Sequence, residues 1–165
     1  MSQKIETSKT SGAHFQLSRL EGKWEGNTKI WFDPPKLEDE SPVSGSMKLI
    51  LDGLFIMHEY NGSFGGKPLT GMAIIGYNLD TEKFQCAWID SFHNGSAIMF
   101  SQGNKKDNNI SVLGSYAYIT PETEQYWGWL SNIEILSDAE IVITAYNISP
   151  EGEEAKATET IYRKV

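Results

Sequence analysis

From Lys23 to the end of the chain, apolar and polar residues alternate with a period of two, and Gly, Asn, Asp or Pro interrupts the alternation at short intervals. Successive side chains of a strand point to opposite faces, so such segments suit half-buried strands and do not suit helices. The pattern predicts strands at residues 23–32, 45–51, 54–63, 69–77 and 83–91, then at 96–102, 109–118, 125–136, 140–148 and 155–163. Asp52-Gly53, Asn78-Leu79-Asp80, Asn94-Gly95, Ser137-Asp138 and Pro150-Glu151-Gly152 supply turns, because these residue types tolerate the positive φ angles of tight hairpins. About ten strands joined this way form an antiparallel, all-β meander. Left open, it would expose two long unpaired edges, so closure into a barrel is expected in preference to a sandwich.

Ahead of the first strand, His14-Phe15-Gln16-Leu17-Ser18-Arg19-Leu20 sets Leu17 and Leu20 three residues apart. That spacing suits one or two helical turns and predicts a short N-terminal plug. Residues 1–13 are polar and read as a flexible tail, which leaves 14–165 as a single barrel domain. Residues 33–42 carry three prolines and four acids. Proline lacks the donor a ladder needs, so the segment is excluded as a central strand and expected as a lid over one end or as a solvated connection.

A formal charge of -8 repels phosphate backbones and anionic lipid surfaces, which excludes nucleic acid and membrane as expected partners. Lys105-Lys106 are two charges in a Gly/Asn-rich turn, far from a basic stripe. The one cysteine, Cys86, allows no intrachain disulfide and fits a reducing compartment; in Phe84-Gln85-Cys86-Ala87-Trp88 the alternation reads as a buried, inert thiol. Met1 to Ala13 lack the apolar stretch of a signal peptide, and no later run reaches membrane-spanning length, so a cytoplasmic location is expected.

Leu20-Glu21-Gly22-Lys23-Trp24-Glu25-Gly26 resembles the Gly-x-Trp entry of lipocalin-like barrels, in which Gly lets the chain bend into the first strand and Trp caps the barrel bottom. Asp52-Gly53-Leu54-Phe55 through Glu59-Tyr60-x-Gly62, Gly71 through Gly76-Tyr77-Asn78, and Trp88-Ile89-Asp90-Ser91 resemble the bacterial family known as domain of unknown function 1579. The ending from Gly152-Glu153-Glu154 through Tyr162-Arg163 is similar to the same family, and the likeness covers nearly everything after about residue 15. A subgroup shares Trp31-Phe32-x-Pro34, Asp39-Glu40-Ser41-Pro42, His58-Glu59-Tyr60 and Asp90-Ser91-Phe92-His93. Asn78, where relatives tend to carry Asp, is a departure confined to a turn. The resemblance implies a lipocalin-like, calycin-type barrel without an assigned biochemistry.

Alternation puts Ile56, His58 and Tyr60 on one face and Phe55, Met57 and Glu59 on the other, with either face free to be interior. Phe84, Cys86, Trp88 and Asp90 share a face, an apolar run ending in a carboxylate that needs a partner. A cavity walled by apolar residues with a few polar groups is the usual anatomy of a small-molecule site. The candidate ligand-binding residues are therefore Trp24, Trp31, His58, Glu59, Tyr60, Trp88, Asp90 and His93. The leading expectation is a barrel that binds a small, partly apolar ligand. The alternatives are a metal- or haem-assisted enzyme using His58 and His93, and a solid barrel acting as an interaction module through its acidic proline segment. Asp90-Ser91-Phe92-His93 holds the residue types of a hydrolase triad, but alternation along a strand would point them apart. No motif designates a cofactor or a reaction.

Overall fold

The structure, a computed structural model, describes residues 2–103, 105–106 and 109–165, with Lys105 and Lys106 described through their backbone alone. Two short helices, α1 (Gln3–Ser11) and α2 (Ala13–Ser18), precede the strands. These are β1 (Gly22–Asp33), β2 (Lys36–Ile50), β3 (Phe55–Phe64), β4 (Lys67–Asn78), β5 (Lys83–Asp90), β6 (Met99–Gly103), β7 (Lys105–Lys106), β8 (Asn109–Ile119), β9 (Glu124–Ile135), β10 (Glu140–Ile148) and β11 (Glu154–Lys164). Strands β1 to β6 pair in sequence order, as do β7 to β11; β1 pairs with β11, and β6 passes the β7 stub to pair with β8. The result is the expected closed antiparallel barrel of ten strands, in which both ends of the meander find a partner.

The two joints that close the barrel differ. β1 and β11 run together from Trp24↔Lys164 to Ile30↔Thr158, seven register pairs. β6 and β8 share two, Ser101↔Gly114 and Gln102↔Leu113. Gly114 permits even this contact, because a Cβ there would lie 2.3 Å from the Ser101 Oγ and 3.0 Å from the Phe100 carbonyl oxygen.

One end of the barrel is plugged. Leu17 and Leu20 from the helical turn are fully buried against Trp24, Met47, Ile56, Phe84 and Ile141. The Trp24 indole N–H donates to the Leu20 carbonyl (2.8 Å), which fixes the ring across the barrel bottom. Where the sequence reads as a polar tail, Gln3–Ser11 is helical: Ser2 caps it at Ile5 N, and Lys9 pairs with Asp52 (2.8 Å) beside the β2–β3 turn. The Ser8 hydroxyl reaches the His14 Nδ1 (2.8 Å) and ties α1 to α2. Among the described residues, no helix is long and apolar enough to cross a membrane.

The proline segment corrects the sequence reading. Pro34-Pro35 form the turn, and Lys36–Ile50 is one long strand between β1 and β3. Pro42 is accommodated because β2 first meets β3 at Ser44↔Asn61; before that point β2 has β1 alone as a neighbour, so a missing donor on its free side breaks no ladder. Residues 31–43, beyond the last β1–β11 pair and before the first β2–β3 pair, therefore form the outer part of a β1–β2 hairpin that leans on the open end of the barrel. Asp39 Oδ1 accepts from Gly65 N (3.1 Å), and Phe32 packs on Phe64 (5.4 Å between ring centroids). Between β3 and β4 the chain reverses in a two-residue turn at Gly65-Gly66, between Phe64 and Lys67.

Candidate functional site

Above the plug the barrel is hollow. A cavity of about 150 Å³ is walled by Ile30, Val43, Leu69, Ile75, Ile110, Val112, Ile133 and Ile143, with a few polar side chains among them. The interior face of β3 is Ile56, His58 and Tyr60, and that of β5 is Phe84, Cys86, Trp88 and Asp90; Phe55 and Glu59 face out. Thr28 and Thr160 satisfy each other across the β1–β11 joint (2.7 Å). Burial pushes the Cys86 thiol up to about 12, so it stays protonated.

Near the plug, His58 and Tyr162 form a buried pair at 3.3 Å between Nε2 and Oη. Burial pulls His58 down to about 4, so the ring is neutral, and pushes Tyr162 upward, so its proton stays on. The contact is thus a single hydrogen bond between a neutral imidazole and a neutral phenol. Gly45 on β2 makes room for this pair. A Cβ there would lie 2.6 Å from the Tyr162 Oη and 3.0 Å from the His58 Nε2.

At the open end the polar groups centre on Asp90, whose side chain is fully buried. β5 ends there and the chain turns. Asp90 Oδ1 accepts from the backbone N–H groups of Phe92 (3.3 Å), His93 (2.7 Å) and Asn94 (2.8 Å). Its Oδ2 accepts from the His93 Nδ1–H at 2.6 Å and from the Tyr60 O–H at 3.4 Å. Burial works against the charge, but the His93 hydrogen bond and charge and the backbone donors outweigh it and hold the carboxyl below the usual range. Tyr60 in turn accepts from the Trp88 indole N–H (2.8 Å). Trp88 stacks on Trp129 (5.5 Å), and the His93 ring lies 5.6 Å from each.

Ile30, Trp88, His93 and Trp129 also wall a second cavity of about 160 Å³, bounded beyond by Trp31, Phe32, Tyr116 and Asn147. It is a vestibule between the β1–β2 hairpin and the barrel rim. Phe64 stacks on Phe92 (4.7 Å), and Phe92 meets His93 edge-on (4.7 Å), so rings run continuously from the hairpin to the site.

Of the eight sequence candidates, His58, Tyr60, Trp88 and His93 line the cavity, and Asp90 stands directly behind His93. Trp24 belongs to the plug, Trp31 to the vestibule, and Glu59 is on the outer surface. The expectation that alternation separates Asp90 from His93 is corrected: the turn after Asp90 brings them together, while the Ser91 hydroxyl is turned away to accept from Thr70 N (3.0 Å). Trp129 and Tyr162 line the cavity as well, and Tyr162 was missed. Trp129 shares its two-residue period with Ser131 and Ile133, which marks it as interior. Among the described residues, no group of three or more His, Cys, Asp or Glu side chains is placed to hold a metal ion.

A family model described as protein of unknown function (DUF1579) matches residues 9–164. Among solved structures, the chain is similar to Rv2717c from M. tuberculosis, with TM-score 0.62 and 10% identity over 100% of this chain and 99% of that one. It is also similar to the S-type phycobiliprotein lyase CPES from Guillardia theta, with TM-score 0.58 and 12% identity over 100% of this chain and 98% of that one. At these identities the likeness shows the fold alone, a lipocalin-like barrel. No curated protein sequence matches.

Proposed function

The chain belongs to the DUF1579 family, and from that premise we propose that it is a binding protein that holds one small, partly apolar molecule inside its barrel. The observation that carries this reading is the hollow interior: a space of about 150 Å³, largely apolar, with a hydrogen-bonded polar cluster at its open end. An apolar cavity of that size accommodates a molecule of about one six-membered ring. Tyr60, Trp88, Trp129 and His93 act as the contacts near the mouth, and the neutral His58 as the contact near the plug. The same reading places the protein in the reducing cytoplasm, where a lone buried Cys86 needs no partner.

The test is a panel of ring-sized and short-chain lipophilic compounds, followed by melting temperature and by the fluorescence of Trp88 and Trp129. A ligand should saturate at one per chain and raise the Tm, and Ala73→Leu, which fills the cavity wall, should abolish the effect. If no compound shifts either signal, or if Ala73→Leu binds as well as the wild type, the interior is not the site.

A further inference from the structure

We infer that the molecule held in the barrel is a small phenol, whose O–H donates to the His93 Nε2. This rests on the binding reading above and names the ligand's chemical class. Among the two rings hydrogen-bonded around Asp90 and Tyr60, those of Trp88 and His93, one nitrogen is left over. The Trp88 N–H is taken by Tyr60, the Tyr60 O–H by Asp90, and Asp90 receives five donors, one of them the His93 Nδ1–H. His93 lines the cavity with its Nδ1 engaged, so Nε2 is the ring nitrogen it offers to a ligand.

A fully buried carboxylate on Nδ1 does two things to that nitrogen. It keeps one ring proton on Nδ1, so the lone pair of the uncharged ring lies on Nε2, and it polarises the imidazole so that Nε2 accepts more strongly. The best complement is a donor more acidic than an aliphatic alcohol. The space admits about one ring, and its mouth-side wall is aromatic, with Trp88 and Trp129 stacked and Tyr60 beside them. Ring shape, apolar body and one acidic O–H together describe a phenol.

Affinities of phenol, toluene and cyclohexanol would be measured for the wild type, His93→Phe and His93→Gln, with circular dichroism confirming each fold. Comparing ratios cancels the different hydration of the probes. The phenol-to-toluene ratio should fall about tenfold in His93→Phe, as for loss of one strong hydrogen bond, and recover in part in His93→Gln, whose amide oxygen accepts. Cyclohexanol should bind the wild type at least about tenfold more weakly than phenol. Nitrogen NMR of the wild-type imidazoles should show the His93 Nε2 shifting with phenol and not with toluene, a readout that needs no variant. A ratio unchanged by His93→Phe, cyclohexanol matching phenol, or an unmoved Nε2 overturns the phenol assignment. Toluene binding equally in all three proteins then leaves the apolar cavity standing, whereas failure of every probe to bind the wild type removes both.

Discussion

His58 makes the barrel's stability depend on mild acid in a calculable way. Its ring is buried and neutral, with its folded value at about 4 against an ordinary 6.5. The unfolded chain therefore takes up a proton first as the pH falls. Stability from this group is complete above 6.5, declines between 6.5 and 4, and is spent once the folded ring also protonates. Between pH 7.5 and 4.5 the loss is about 2.5 kcal/mol. With a urea slope of about 2 kcal/mol/M, the midpoint should fall by roughly 1.2 M. His58→Gln keeps a hydrogen-bonding partner for the Tyr162 hydroxyl and removes the titration. His14, also lowered by burial and by Lys9, contributes to the slopes of both proteins and cancels in the difference. Urea unfolding at half-unit steps of pH should show two curves that converge toward acid. Parallel curves from 7.5 to 4.5 would show that His58 is not buried neutral.

Three further outcomes follow from the same contacts. Asp90→Ala removes the acceptor for three backbone donors, the His93 ring and the Tyr60 hydroxyl, so urea unfolding at pH 7 should show a loss of about 3 kcal/mol. Because the Asp90 carboxyl is held low, that gap should persist down to about pH 4 and close below it, as the folded carboxylate protonates. Gly45→Ala drives a methyl into the Tyr162–His58 pair; it should cost about 1–3 kcal/mol and perturb the His58 ring resonances. Cys86, held near 12, should react with iodoacetamide at pH 8 about a thousandfold more slowly in the folded than in the unfolded protein, and labelling at the unfolded rate would place the thiol outside the cavity wall.

The parts of the molecule that follow from local pattern were legible in the sequence. Period-two alternation identified the interior sets Ile56–His58–Tyr60 and Phe84–Cys86–Trp88–Asp90, although it did not say which face was inside. The Asn78 turn works through its side chain, whose Oδ1 accepts from Asp80 N (2.9 Å) and Thr81 N (3.1 Å), a role Asp would fill equally well. What depended on partners distant in sequence was not legible. Pro42 forbids a ladder only on the side where a neighbour exists, and where β3 begins to pair is a property of register, not of composition. The meeting of Asp90 and His93 depended on where β5 ends. There the Asp90 carboxylate captures the N–H groups of the residues that follow and bends the chain, a competition between side chain and ladder that alternation ignores.

The unequal joints of the barrel decide where it opens first. Parting β1 from β11 breaks seven register pairs, whereas parting β6 from β8 breaks two among the described residues. Local opening free energies scale with what each cooperative unit gives up, so the β6–β8 joint is expected to separate before the β1–β11 joint. A breach there leaves every hairpin intact and uncovers Ser101 and Val112, both in the cavity wall. If the wall of the barrel parts anywhere, the shortness of β6 sets the place, on the side of the barrel and away from the hairpin at its mouth.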